Sequence, residues 1–124
     1  MKKYEFHHLG IPTTEKKEGE EFHDLLGYKF YQTPFGVNPY GVQWLRFPEN
    51  HGMPEILTRL PHIAFKVEDL DAEIEGKDVL FGPYEPLEGF RVAMILDDGI
   101  PVELIETDID DETLAKMDAE VSCD

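Results

Sequence analysis

Two stretches built alike, His8-Leu9-Gly10-Ile11 and His62-Ile63-Ala64-Phe65, open the two halves of this chain, and Pro54-Glu55-Ile56-Leu57 and Pro101-Val102-Glu103-Leu104-Ile105 close them. At one constant offset Glu55 maps onto Glu103, Gly41-Val42-Gln43 onto Gly89-Phe90-Arg91, and Glu49-Asn50 onto Asp97-Asp98, which sets Gln43 opposite Arg91. Such a repeat constrains the fold more than any local propensity, because one copy cannot bury its apolar face alone and must pack against the other. Halves paired about a pseudo-two-fold axis can bring two imidazoles, His8 and His62, and two carboxylates, Glu55 and Glu103, to one point. A divalent metal is the natural occupant of such a point.

The chain has 124 residues and 41% apolar content, enough for one core and short for two. We read a single domain over residues 1–124, with module one over about 4–58, module two over about 61–107 and an acidic tail over 108–124. Binding to nucleic acid or to an anionic membrane rests on clustered Lys and Arg, and the net charge of −16 argues against both. Cys123, the lone cysteine, gives no internal disulfide framework and fits a reducing compartment. Met1-Lys2-Lys3 leads straight into Tyr4-Glu5-Phe6-His7 with no apolar stretch of signal-peptide or membrane-spanning length, so a cytoplasmic protein is expected.

Residues 4–11 read as a strand ended by Pro12, with Phe6, His8 and Gly10 on one face and His7, Leu9 and Ile11 on the other. A helix is expected over residues 15–26, from Phe22, Leu25 and Leu26 at i, i+3 and i+4, a Thr13 or Thr14 cap and Gly27 at its end. Strands follow over 28–35, 42–47 and 55–57. Module two repeats the order: a strand over 62–67, a short helix carrying Leu70 and Ile74, strands over 79–81 and 91–96, a turn at Asp97-Asp98-Gly99, and a strand over 102–106. In the tail, Leu114 and Met117 at i and i+3 suit a docked or frayed helix.

Same-face neighbours in a strand are two apart, so Gly10 and Ala64 keep the space beside each imidazole clear. Val102 and Leu104 point to the helices, and Glu103 shares the cavity face with Ile105. A carboxylate amid apolar strand residues is costly to bury unless it is paired or coordinates a metal. His7, His23 and His51 default to surface residues.

These paired halves resemble the vicinal oxygen chelate superfamily, which includes glyoxalase I, methylmalonyl-CoA epimerase, bleomycin-resistance proteins and extradiol dioxygenases. The resemblance spans residues 4–106 and is strongest for His62-Ile63-Ala64-Phe65-Lys66-Val67-Glu68-Asp69-Leu70 and Val102-Glu103-Leu104-Ile105-Glu106. It implies an α+β fold of two paired βαβββ modules whose curled mixed sheets enclose a cavity, with His8, Glu55, His62 and Glu103 as metal ligands. Within the group the epimerase is the poorer match, because its first-module carboxylate position carries glutamine.

Two imidazoles and two carboxylates suit a six-coordinate zinc, nickel, cobalt, manganese or iron with two open positions. The expected function is a glyoxalase-type lyase or isomerase acting on a small oxygen-bearing metabolite through a metal-chelated enediolate, with Glu55 or Glu103 as the base. The alternative is a non-catalytic protein that sequesters a small molecule, of bleomycin-resistance type. Arg91, Trp44 and Arg46 are candidate substrate contacts. Superfamily members often dimerise, so a homodimer is compatible with the resemblance.

Overall fold

The computed structural model describes residues 4–25 and 27–122, with side chains described as far as residue 117; Leu26 and Cys123 lie outside the described residues. Eight strands form one mixed sheet: β1 (Glu5–Pro12), β2 (Glu21–Leu25), β3 (Tyr28–Gln32), β4 (Val42–Arg46), β5 (His62–Lys66), β6 (Asp78–Leu87), β7 (Phe90–Asp97) and β8 (Ile100–Thr107). Three helices accompany them: α1 (Ile56–Arg59), α2 (Leu70–Ile74) and α3 (Asp111–Ser122). The strand order β2-β3-β4-β1-β5-β8-β7-β6 reads the same from either end, about the antiparallel β1–β5 seam. β4 runs parallel to β1, and β8 runs parallel to β5. The sheet curls until its far parts approach each other, so that Tyr28 of β3 packs on Phe81 of β6 with ring centroids 5.0 Å apart.

Module two has the expected order. Asp69 caps α2 by accepting from the Ala72 amide at 3.2 Å, and Leu70 is fully buried. The strand face toward α2 carries Ala93, Ile95 and Leu104 against Val67 and Leu70. The opposite, concave face carries Val92 and Ile105, packed with Phe35, Phe90 and Leu114. The β7–β8 turn places Asp98 at φ 53 and Gly99 at φ 76, the two left-handed positions that a tight hairpin of this kind needs.

Module one departs from expectation. The described part of the expected helix, residues 15–25, holds none: residues 13–20 form a loop, and β2 follows as an edge strand paired with β3. Glu15-Lys16-Lys17-Glu18-Gly19-Glu20 offers no apolar side chain with which a helix could pack, and Gly19 sits at φ 82. The loop is held by polar contacts to the convex face instead. Lys17 lies over the Trp44 ring at 4.3 Å, and the buried Glu20 carboxylate accepts from the Arg46 guanidinium, which itself covers Tyr31 at 4.0 Å. Gly27, at φ 91, turns the β2–β3 hairpin rather than ending a helix.

The strand expected over residues 55–57 is also absent. Glu55 is the N-cap residue of α1, in the connection between the modules, and the last strand of module one is β4. In this short helix Leu57 points inward, 2% exposed, against Phe81 and Met94. The tail forms α3, with Leu114 buried in the core. Among the described residues, no helix is long and apolar enough to cross a membrane.

Candidate metal centre and its cavity

The concave face encloses a cavity of about 960 Å³, counting its open mouth. One wall is the β1–β5 seam, where His8 pairs with Ala64 and Gly10 pairs with His62. Each imidazole therefore has the other strand's small residue opposite it. A Cβ built at Gly10 would lie 2.1 Å from His62 Cε1 and 2.5 Å from its Nε2, so this ring lies across β1 only because position 10 has no side chain. Glu103 comes in from β8, level with Ala64.

His8, His62 and Glu103 form one group. Glu103 Oε1 is 3.3 Å from His62 Nε2 and 3.7 Å from His8 Nε2, the two rings stand nearly perpendicular at 85° with centroids 5.6 Å apart, and one donor atom of each residue lies within 4.8 Å of the others. A cation held at ~2.1 Å by nitrogen and oxygen donors keeps its donors roughly 3 to 4.2 Å apart, so these three residues fit a divalent metal with little adjustment. Burial acts most strongly on the Glu103 carboxyl and raises its pKa. The neighbouring His8 and His62 outweigh it together, and hold the group well below the usual carboxylate range.

His7, expected at the surface, is buried at 5% exposure. A bulge between Phe6 and His8 breaks the period-two alternation, so consecutive histidines both line the cavity. His7 stacks on Phe35 with centroids 4.3 Å apart, and its Nδ1 is 2.7 Å from Nδ1 of His8. In the tautomer that leaves His8 Nε2 open to a cation, His8 Nδ1–H donates and His7 Nδ1 accepts, which orients a candidate ligand from behind. His7 Nε2 then carries a proton and is buried without a hydrogen-bond partner; Asp111 Oδ1 is 3.8 Å away. Burial first, and then the nearby His8, lower the His7 pKa from 6.5 to about 4. His23 also differs from expectation, lining the cavity and stacking on Phe30 at 5.1 Å, whereas His51 accepts from the Met53 amide at 2.9 Å.

Glu55 is not brought to this group. Its side chain is 76% exposed, with Oε1 3.5 Å from His51 Nε2, and the Thr58 hydroxyl donates to its carbonyl at 2.7 Å. Arg46, Trp44 and Arg91 do not line the cavity either. Arg46 and Trp44 hold the module-one loop, and Arg91 pairs with Asp71 at 3.1 Å on the outer surface.

The residue that takes the mirrored position of Glu103 is Gln43. β4 sets Gln43 beside Gly10 on β1 as β8 sets Glu103 beside Ala64 on β5. The constant-offset register that placed Gln43 opposite Arg91 is therefore corrected by the strand pairing. Gln43 is 3% exposed, lines the cavity, and donates from Nε2 to the Thr33 carbonyl at 3.0 Å, which leaves Oε1 as the end able to meet a cation. Its signal in the sequence was the apolar alternation of Val42-Gln43-Trp44-Leu45, which carries one polar inward residue just as Val102-Glu103-Leu104-Ile105 does.

No protein-family model matches the sequence, and no curated protein matches it. Among solved structures, the crystal structure of methylmalonyl-CoA epimerase from Mycobacterium tuberculosis superposes with a TM-score of 0.55 at 19% identity, over 85% of this chain and 89% of that one. The fold is the vicinal oxygen chelate fold. This chain has a palindromic strand order about a central seam, and a pinned loop where a module-one helix was expected.

Proposed function

We propose that the chain is a metal-dependent isomerase-type enzyme of the glyoxalase-like kind, in which His8, His62 and Glu103 hold a divalent cation and the Gln43 amide oxygen completes the protein's donor set. The observation that carries this reading is the convergence of two imidazoles and the one carboxylate that lines the cavity among the described residues, beside the small residues Gly10 and Ala64. Zinc, nickel, cobalt, manganese and iron all suit such a mixed nitrogen and oxygen set. Bound there, the cation supplies Lewis acidity that makes the C–H next to a substrate carbonyl more acidic.

The chain's own residues do the rest. Glu103 is the carboxylate that takes that proton and returns it, His8 and His62 hold the cation beside it, and the apolar walls limit the access of water. Glu55, in solvent on α1, takes no part. The test is exchange of the substrate α-proton in D2O, using short 2-hydroxy ketones and 2-oxo acids. Glu103→Gln is expected to lower exchange by at least ~100-fold, with Glu55→Gln unchanged; comparable rates in the two variants would refute the assignment. Sequestration without chemistry is the competing use of the same cavity. It predicts tight ligand binding with no exchange in the unaltered protein.

A further inference from the structure

The cavity's walls point to the class of molecule it takes, and this inference rests on the metal centre proposed above. Among the described residues that line it there is no lysine and no arginine. Its far walls are apolar: Leu25, Phe30, Leu45 and Phe47 on the module-one side, and Leu87 and Phe90 on the other. Away from the three candidate ligands the lining includes the neutral hydrogen-bonding groups of Gln32 and Tyr84. Burial, reinforced by Glu103, raises the Tyr84 pKa, so this phenol stays a proton donor at neutral pH.

Several cations outside the cavity are paired with carboxylates on the outer surface. Arg46 is bound to Glu20, Arg91 to Asp71, Lys66 to Asp111 and Lys77 to Asp97. The chain's net charge of −16 disfavours the approach of anions in general. Recognition of a phosphate-rich carrier calls for Arg, Lys or a helix N-terminus at the phosphates. A coenzyme A thioester, the kind of substrate named for the similar epimerase, has no such partners in this cavity.

We infer that this site takes a compact ligand whose body is uncharged and apolar, a ring or branched chain, attached to a pair of neighbouring oxygens that meet the metal corner, and that it does not take carrier thioesters. The test uses two hydroxamates, which share one oxygen-chelating head and differ in body. Manganese-loaded protein is titrated with acetohydroxamate and with benzohydroxamate by calorimetry and by water-proton relaxation, and methylmalonyl-CoA is added as competitor. Benzohydroxamate should bind at least ~10-fold more tightly, because its ring leaves water for the apolar wall, and millimolar methylmalonyl-CoA should not displace it. If both hydroxamates bind equally, or the thioester displaces them, the substrate class is wrong and the metal centre stands. If neither binds protein shown to be fully loaded with manganese at this centre, the inference also falls. If the protein takes up no metal, the centre itself is overturned, and this inference with it.

Discussion

At the scale of single residues, the position that decides the centre is a glycine. Gly10 matters for a contact it does not make: any side chain there would occupy the space of the His62 ring. Gly10→Ala should leave the secondary structure intact by circular dichroism and weaken metal binding by at least ~10-fold in a competition assay, since His62 must rotate away; unchanged affinity would mean that His62 is not a ligand. That His8, His62 and Glu103 come together was legible in the sequence because His8 and His62 open matched stretches and Glu103 stands as the one polar residue among Val102, Leu104 and Ile105. Glu55 was misread because the same few letters, Glu-Ile-Leu, suit an exposed helix start as well as a strand end. The position of Gln43 in register with Gly10 was missed because a linear offset cannot register a hairpin whose loops differ in length between the copies. His7 was hidden by a bulge, which turns two consecutive side chains to one face.

At the scale of elements, module two could be read almost strand by strand, since α2, its Asp69 cap and the Asp98-Gly99 turn all agree with the hydrophobic pattern. Module one could not. Its convex face is covered by Lys17 and by the Glu20–Arg46 pair, contacts between residues distant in sequence, and no period in the chain announces them. The tail helix is more than an appendage. Leu114 of α3 is 5% exposed among Phe35, Phe90 and Ile105, and Gly36 lies so close beneath the helix that a Cβ there would come within 2.7 Å of Ala115. Leu114→Ala should cost about 2–4 kcal/mol in urea unfolding, the range for a buried leucine left as a cavity. A cost below about 0.5 kcal/mol would place α3 outside the cooperative fold.

At the scale of the whole molecule, acid should undo the metal-free protein in a defined window. The folded state holds His7 neutral down to about pH 4, while the unfolded chain protonates it near 6.5. Stability is therefore complete above pH 6.5 and is lost as pH falls toward 4, by up to about 3 kcal/mol. Glu103, held low in the fold and near 4.5 when free, extends the loss below pH 4.5. Urea midpoints measured in EDTA between pH 7.5 and 4 should show this decline. His7→Phe keeps the ring on Phe35 and removes the titrating group, so its profile should be flatter between pH 6.5 and 4.5; a profile parallel to that of the unaltered protein would show that His7 does not set the window.

The seam between β1 and β5 carries one further consequence. Because the first imidazole belongs to one copy of the duplicated unit and the second to the other, and the His62 ring lies across Gly10 of the opposite strand, neither copy alone can assemble the group. On the proposed reading, chelation would act as a coincidence detector for correct assembly: a cation would be gripped only when both repeats have found each other in register, and would then clamp the seam between them.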